Sequence, residues 1–419
     1  MLLSESEQKW LDEEFWALAQ FAERARVDAG FSTMDAKGNA DQAAGLQLWI
    51  NCRMTHVFCL AALRGNERAR DYAAHGIRVL RENFYDTANG GFYDALTFAG
   101  DAPLRDRKLA YAHAFVLLAA SSGMVADIEG ARELFVLAED AHERHFWEPA
   151  YGLVCESFDA SFTESEAYRG ANANMHTLEA SLACFDATGN PKWLAKAASI
   201  LSFVLEQAYK IGWRIPEHFD TDWQLLPDFN RDNPADPFRP YGLTPGHGIE
   251  WARLAVNFWA AAQRLVGELD EAMAEFLDTL PRAAYSLFMQ ALEDGWAADG
   301  EPGLVYTTDF SGAPVVHERM HWTICEGAAT AATLATYSEQ AGRDEDAAKM
   351  RELFNMFVGY ARQYLVEKPG QWIHELDRNN HPSFVTWPGK PDVYHGAQAM
   401  LVPTLPLTPT FATALARQS

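Results

Sequence analysis

Several features that mark common protein classes are missing from this 419-residue sequence. No run reaches the roughly 18 apolar residues that cross a bilayer as a helix. Lys and Arg total 34 against 58 Asp and Glu, which gives a net charge of -24, and no basic cluster could follow a phosphate backbone. We therefore expect neither nucleic acid nor membrane as a partner.

Signals for export and for disulfide bonding are missing as well. The N-terminal residues MLLSESEQKW lack the basic start and apolar stretch of a signal peptide, so a cytoplasmic location is expected. The five cysteines are odd in number, widely spaced and without a C-x-x-C pair, which favours reduced, buried thiols. They are Cys52, Cys59, Cys155, Cys184 and Cys325.

Motifs for common cofactors and nucleophiles are also absent. The sequence has no G-x-x-x-x-G-K-[ST] loop, no strand-borne G-x-G-x-x-G and no G-x-S-x-G elbow. The absence of these motifs argues against nucleotide-driven chemistry, nicotinamide cofactors and the common serine-hydrolase architecture. We expect no organic cofactor.

Two segments match part of a metal-binding motif. HERMH at 317–321 matches the zincin pattern H-E-x-x-H, but the only candidate third ligand, Glu339, is undistinguished. Asp228, Asn230 and Asp232 begin like a calcium loop, whose later positions are then occupied by unsuitable residues. We expect no metal site.

Most of the chain consists of segments whose apolar residues recur at the period of an α-helix. Examples are WLDEEFWALAQFAERA at 10–25 and EWARLAVNFWAAAQRLV at 250–266. Loops rich in Gly, Pro, Asn and Asp separate them, and strands do not alternate with helices. We predict an all-α protein in which short β-hairpins in the loops are the only β-structure.

Single polar or aromatic residues embedded in the apolar helices recur at intervals of 60 to 75 residues. That length fits one outer helix, one inner helix and two loops, although chance spacing remains the alternative. Six such units predict twelve helices in an (α/α)6 barrel, with each inner helix beginning near a central pocket. The six residues are Arg53, His113, His176, His247, Trp322 and His395.

The longest loop, at 210–245, has the aromatic and charged residues of an ordered functional loop rather than a Gly/Ser tether. We therefore predict a single domain over 1–419, with this loop as a wall or lid of the pocket.

The segment TPGHGIEWARL at 244–254 is the most informative for chemistry. Thr244 and Pro245 mark a helix start, and His247 and Glu250 follow three residues apart on one face. Histidine suits proton transfer in both directions near neutral pH, and a neighbouring Glu can set its tautomer. A capped helix with a surface histidine is the alternative.

Three further segments supply groups suited to a sugar. DVYHGAQAML at 392–401 places His395 at another helix start, and LWINCRMTHVF at 48–58 places Trp49 and Arg53 on one face. YRGANANMHTLEA at 168–180 offers Asn172 and His176, with Glu179 at helical spacing. Core packing is the alternative for Trp49. An inverting glycosidase, with a carboxylate pair among the 58 acidic residues, also stays open.

Together with EHFDTDWQ and PDFNRDNPADPFRPYGLTPGHGIEW, these blocks resemble the N-acylglucosamine 2-epimerase superfamily, and within it the branch that isomerises D-mannose or sulfoquinovose. The resemblance runs over nearly the whole chain. It implies an (α/α)6 barrel and metal-free proton transfer, with His247 and His395 as the catalytic histidines. It also implies a sugar pocket lined by Arg53, Tyr111, Asn172, His176, Glu250 and Trp322.

The resemblance implies an aldose–ketose isomerase that acts through a cis-enediol on a free monosaccharide. His247, supported by Glu250, is expected to move the proton between C2 and C1, and His395 to open the ring. Sulfoquinovose isomerases place glutamines where His374 and Pro391 stand here, although Arg239 is retained. We therefore expect mannose, while lyxose, glucose, sulfoquinovose and 2-epimerisation remain alternatives. Oligomeric state is left open.

Overall fold

The computed structural model describes residues 3–268 and 270–418. Its thirteen α-helices within these ranges are α1 (Glu5–Ala22), α2 (Leu48–Leu63), α3 (Glu67–Val79), α4 (Ala110–Val125), α5 (Ala131–Ala141), α6 (Ala171–Thr188), α7 (Lys192–Lys210), α8 (Pro245–Ala262), α9 (Glu271–Gly295), α10 (His321–Gln340), α11 (Asp344–Tyr360), α12 (Tyr394–Leu401) and α13 (Phe411–Ala416). Shorter 3-10 or π turns lie at Glu23–Ala25, Leu80–Phe84, His142–Phe146, Gln263–Glu268, Ala361–Leu365 and Val402–Thr404.

Twelve of these helices form two concentric rings. The even-numbered helices α2 to α12 make the inner ring, which closes because α12 packs on both α10 and α2. Each odd-numbered helix from α3 to α11 packs outside the inner helix before it, and α1 packs outside α12. The predicted (α/α)6 barrel is confirmed. The short α13 is an addition, which contacts α2, α4 and α6 and covers the floor of the barrel.

Composition separates the two rings. The inner helix α4, AYAHAFVLLAASSGMV, is apolar on all sides, and thirteen of its sixteen residues are buried. Outer helices such as α3, ERARDYAAHGIRV, bury one apolar face and expose a charged one. Among the described residues, no helix combines the length and the apolar character needed to span a membrane.

The predicted hairpins are present: Arg26–Val27 with Gly30–Phe31, Trp147–Glu148 with Leu153–Val154, Thr307–Thr308 with Pro314–Val316, and Val366–Lys368 with Gln371–Trp372. Further short antiparallel strand pairs link neighbouring units of the barrel. These pairs were not predicted from the sequence. They are Leu46–Gln47 with Ala95–Leu96, Lys108–Leu109 with Ser157–Phe158, Arg169–Gly170 with His218–Phe219, and Arg319–Met320 with Glu375–Leu376.

These inter-unit pairs form a ring, which we call the collar. In each pair, the segment just before an inner helix bonds to the loop of the next unit. A bridge between Leu243 and Thr308 serves α8, and the hydrogen bond from the Lys390 amide to the Met34 carbonyl (2.9 Å) closes the circle before α12. The collar therefore fixes where all six inner helices begin.

A tight turn follows the collar segment of each unit. In five units an aspartate carboxylate accepts backbone N–H groups of the residues that follow it, as an Asx turn does. In the second unit Thr97 replaces the aspartate, and its hydroxyl donates to the Asp101 carboxylate and accepts from the Asp101 amide. The aspartates are Asp35, Asp159, Asp220, Asp309 and Asp377.

Candidate active site

A cavity opens at the collar, where the inner helices begin. It encloses about 640 Å³ of empty space up to its mouth, a size that suits a small molecule. The structure brings all nine predicted site residues to its lining: Trp49, Arg53, Tyr111, Asn172, His176, His247, Glu250, Trp322 and His395. Eight further residues line the cavity: Pro237 and Phe238 of the loop predicted to wall it, His374 and Pro391 at the positions compared with sulfoquinovose isomerases, and Tyr306, His321, Trp387 and Asp392, which were not predicted for the site.

All six residues that marked the repeat lie within the first two turns of inner helices, but His113 does not line the cavity. Its Nε2 accepts a hydrogen bond from the Phe92 amide (2.9 Å), and its Nδ1 lies 2.8 Å from the Leu109 carbonyl. His113 therefore joins a loop to α4 as a structural residue.

His247 is held by a carboxylate of the collar. Its Nδ1 lies 2.9 Å from Oε1 of Glu217, which directly precedes the collar strand His218–Phe219. A charged Glu217 keeps the proton on Nδ1 and leaves Nε2 as a base. The prediction that Glu250 supports His247 is wrong, because the Glu250 side chain turns into the barrel interior, 3.6 Å from Nη2 of Arg253.

His395 is held in the same way from the neighbouring inner helix. Its Nδ1 lies 2.9 Å from Oε1 of Glu326 on α10, and the other oxygen of Glu326 accepts from Nε of Arg253 (2.8 Å). Burial, with the nearby Arg53 charge, lowers the pKa of His395 well below its usual value. His395 is therefore neutral near pH 7 and can accept a proton. The indole of Trp322 lies between it and His247, with ring centroids 5.8 and 5.2 Å away.

Glu250 lies buried at the base of the cavity. Its Oε1 is buried and has no hydrogen-bond partner among the described residues. Burial, followed by repulsion from Glu326, raises the pKa of Glu250 well above its usual value. This carboxyl group therefore takes up a proton more readily than an exposed one, and in that form it can donate a hydrogen bond.

His176 is the third histidine that is held by a carboxylate. Its Nδ1 lies 3.0 Å from Oε2 of Glu179, one turn along α6, as their spacing predicted. Burial lowers the pKa of His176. Burial acts against ionisation of Glu179, but the hydrogen bond with His176 and the charge of Arg253 lower the pKa of Glu179 overall. The pair is therefore a neutral imidazole beside a carboxylate.

Arg53 is a fixed cation in an aromatic setting. Its guanidinium lies 4.9 Å from the ring centroid of Trp49, confirming that the two share a helix face, and 4.5 Å from that of Phe115. Nη1 lies 3.3 Å from Oδ2 of Asp392, and Nη2 donates to the Tyr111 hydroxyl (3.0 Å). The other oxygen of Asp392 accepts a hydrogen bond from the Tyr394 amide (2.8 Å) at the start of α12. Asp392 thus joins the cation to the helix that carries His395.

Three aromatic rings form a rim beside the cavity. Phe238 contacts Trp387 edge to face at 5.0 Å between centroids, and both approach Trp49 at 6.2 Å. Phe238 and Pro237 come from the loop at 210–245, so the prediction that this loop walls the pocket is confirmed.

The HERMH segment does not form a zincin site. Its first residues are extended and α10 begins only at His321, so the two histidines do not share a helix face. His317 bonds to Asp299 (2.9 Å), whereas the His321 ring stacks on His374 with centroids 3.6 Å apart. Burial lowers the pKa of His321 to about 4 and holds that of His374 well below its usual value. Both rings are neutral walls of the cavity.

Two groups of side chains within the described ranges are close enough to hold a cation: His176 with Glu179 and Glu250, and Glu250 with Glu326 and His395. In each group the histidine Nδ1 is already bonded to a carboxylate, and Arg253 occupies Glu326. A metal ion would compete with these bonds and with the arginine charge. The donors therefore fit a hydrogen-bonded proton-transfer site better than a metal centre.

Arg239 lies outside the cavity lining, where carboxylates balance its charge. Its Nη1 donates to Oε1 of Glu166 (2.7 Å), its Nη2 lies 3.3 Å from Oε1 of Glu156, and its guanidinium stacks over Tyr168 at 4.2 Å. Asn230, of the segment that begins like a calcium loop, donates to the Arg239 carbonyl (2.6 Å). The positions of His374 and Pro391 do line the cavity.

Comparisons with known proteins agree with this geometry. The family model described as N-acylglucosamine 2-epimerase (GlcNAc 2-epimerase) matches residues 30–399. The D-mannose isomerase of Thermobifida fusca is 43% identical over 97% of this chain and 96% of its own, and that of Pseudomonas cannabina pv. alisalensis is 40% identical over 99% and 97%. A crystal structure of a D-mannose isomerase superposes with a TM-score of 0.83 and 25% identity, covering 95% of this chain and 98% of that one.

Replacement of Asp392 by Asn tests the buried ion pair. Asn can still cap α12, so the main loss is the charge opposite Arg53. An uncompensated buried guanidinium should lower the free energy of unfolding by about 3–5 kcal/mol, measured by urea denaturation. Glu13→Gln, which removes an exposed pair with Lys9, serves as the control and should leave stability unchanged. An unchanged Asp392→Asn variant would show that another group balances Arg53.

Proposed function

The chain belongs to the N-acylglucosamine 2-epimerase family, and we propose that within it this protein is an aldose–ketose isomerase that interconverts D-mannose and D-fructose, with residues 1–419 acting as one catalytic domain. The similarity to two D-mannose isomerases over nearly the whole chain supports the reaction type and the sugar. The observation that carries the proposal is a pair of histidines, His247 and His395, each held through Nδ1 by a buried carboxylate beside one cavity.

Ring opening is assigned to His395. The free sugar is a pyranose, whose anomeric hydroxyl must lose a proton while the ring oxygen gains one. Both oxygens are bonded to C1, so one neutral imidazole can take the proton from the hydroxyl at Nε2 and return it to the ring oxygen. The lowered pKa of His395, caused by burial, keeps the imidazole in the neutral form that this transfer needs.

Isomerisation is assigned to His247. Nε2 removes the proton from C2, which the carbonyl at C1 has acidified, and O1 takes up a proton to give a cis-enediol. The same nitrogen then delivers its proton to C1 while O2 loses one, so the proton gained at O1 balances that lost at O2. Arg53, fixed in place by Asp392, is suited to stabilise negative charge that develops on these oxygens.

Neutral groups are proposed to recognise the sugar hydroxyls. Asn172, whose Oδ1 is buried and unpaired among the described residues, and Glu250, whose raised pKa favours the protonated form, offer hydrogen bonds, and Trp49 offers an apolar face. Arg239 is already bonded to Glu166 and Glu156, so it is a poor partner for a sulfonate. This favours an uncharged hexose such as mannose over sulfoquinovose.

The reaction should run without a metal ion. Protein treated with a chelator and checked by elemental analysis should convert D-mannose to D-fructose, measured by chromatography. The His247→Ala variant should lose at least about 100-fold in kcat, the low end for loss of a general acid–base group. His381→Ala, at an exposed histidine far from this chemistry, should keep full activity.

Each other outcome assigns a different function. Activity that returns only with a divalent ion would contradict metal independence. Exchange of the C2 proton or formation of glucose without fructose would indicate a 2-epimerase. Reducing sugar released from a disaccharide would indicate a glycoside hydrolase, and fructose formed only from other sugars would withdraw the mannose assignment.

Replacement of Glu217 by Gln tests what holds His247. The amide cannot supply the negative charge that fixes the proton on Nδ1, so kcat for mannose should fall about 10- to 100-fold with a smaller change in KM. Glu206→Gln, which removes a surface partner of Lys210, is the matched control and should behave as wild type. An unchanged kcat in Glu217→Gln would mean that another group orients His247.

A further inference from the structure

A chain of buried polar side chains leads from the cavity to the floor of the barrel. It starts at His176 and passes through Glu179 to Gln398 on α12, whose Nε2 lies 3.3 Å from Oε1 of Glu179. The same Nε2 lies 3.3 Å from Nε2 of His56 on α2, and Nδ1 of His56 lies 2.7 Å from the Ser122 hydroxyl on α4. The chain thus joins four inner helices, and the reaction proposed above does not use its lower half.

The hydrogen bonds along this chain run outward from Gln398, which donates to both of its neighbours. The two amide hydrogens of Gln398 match two acceptors, an oxygen of Glu179 and Nε2 of His56. His56 then carries its proton on Nδ1 and donates it to Ser122. Burial lowers the pKa of His56 to about 4, which agrees with this neutral form.

Glu179 is the acceptor at which the chain converges. Its two oxygens face three donors: Nδ1 of His176, the hydroxyl of Tyr394 and the amide of Gln398. A carboxylate that accepts several hydrogen bonds stays charged even when buried. A charged Glu179 in turn keeps the His176 proton on Nδ1, so that Nε2 is the acceptor left for the cavity.

Other ionisable groups surround Glu179 from every neighbouring inner helix. Repulsion acts between it and both Glu250 on α8 and Glu326 on α10, while Arg253 on α8 stabilises its charge. The remaining neighbours are Tyr111 on α4, His56 on α2 and Tyr394 on α12. With two carboxyl groups opposing it, the charge on Glu179 depends on the donors that it receives.

We propose that Gln398 and His56 are positioning residues, which orient an amide N–H onto Glu179 and thereby keep Nε2 of His176 as a hydrogen-bond acceptor for a sugar hydroxyl. The inference rests on the proposed isomerase function and extends it to residues that do not line the cavity. With its proton on Nδ1, His56 offers Nε2 as an acceptor and so favours the amide orientation in which the Gln398 N–H also faces Glu179. In this orientation Gln398 donates a hydrogen bond to Glu179.

Two substitutions at Gln398 separate charge from volume. Gln398→Met has a similar length and removes the donor, whereas Gln398→Glu places a second carboxyl group against Glu179. Two carboxylates this close cannot both ionise easily, so the pKa of the pair must rise. Each purified variant is checked for folding by thermal melting, and kcat and KM for mannose are measured from pH 5 to 9.

The expected result is a change in the pH profile. In Gln398→Glu the pair takes up a proton as pH falls through the raised pKa, so the acid limb of kcat/KM should move up by at least about one pH unit and activity should recover at high pH. Gln398→Met should lower kcat/KM by about tenfold at all pH values, mainly through KM, as loss of one hydrogen bond to the sugar predicts. Unchanged profiles in both variants would overturn the proposal.

A measurement on the wild-type protein keeps the test independent of variant folding. Nitrogen-15 NMR of ring-labelled histidine, with the His176 signal assigned by its loss in His176→Asn, should show a proton on Nδ1 and none on Nε2 at pH 7. A proton on Nε2 would overturn the proposal. Failure of the proposed function is distinguishable, because wild-type protein would then give no fructose whatever the tautomer of His176.

Discussion

The hydrogen bond between a buried imidazole Nδ1 and a buried carboxylate is the interaction on which this site depends. It occurs at His176, His247 and His395, on three inner helices, at 2.9 to 3.0 Å. In each case the carboxylate fixes the ring and its tautomer, and the second nitrogen is left for the sugar. The three carboxylates come from different places: the same helix, the collar and the neighbouring inner helix. The collar brings Glu217 to His247, and the packing of α12 on α10 brings Glu326 to His395.

Such a site needs charge balance in a region with little water. Glu179, Glu250 and Glu326 are buried together beneath the cavity, and isolated carboxylates there would be costly. Arg253 bonds to Glu326, Glu179 accepts several hydrogen bonds, and burial beside Glu326 raises the pKa of Glu250, which favours its neutral form. Arg53 has its own carboxylate in Asp392. The result is a pocket lined by hydrogen-bonding groups, suited to an uncharged sugar and to proton transfer between that sugar and an imidazole.

The sequence predicted the helices and the identity of the residues at the cavity better than their partners. Periodicity and the spacing of embedded polar residues led to six helix pairs, because inner helices are apolar on all sides and begin at similar intervals. The partner of His247 was misassigned, since Glu250 is near in sequence whereas Glu217 is 30 residues away and meets His247 only through the collar. Glu326 was missed for the same reason. The collar strands are two residues long, too short for any alternation, but the repeated Asp-led turns were a readable signal.

The most direct test of proton transfer by His247 uses heavy water. Wild-type protein freed of metals is incubated with D-fructose in D₂O for many turnovers, and both sugars are examined by NMR and mass spectrometry. An imidazole that moves the proton between C1 and C2 exchanges it with solvent, so deuterium should enter one prochiral position at C1 of fructose and C2 of mannose. Sugars that interconvert yet stay free of deuterium would indicate transfer of hydride, and would contradict the account.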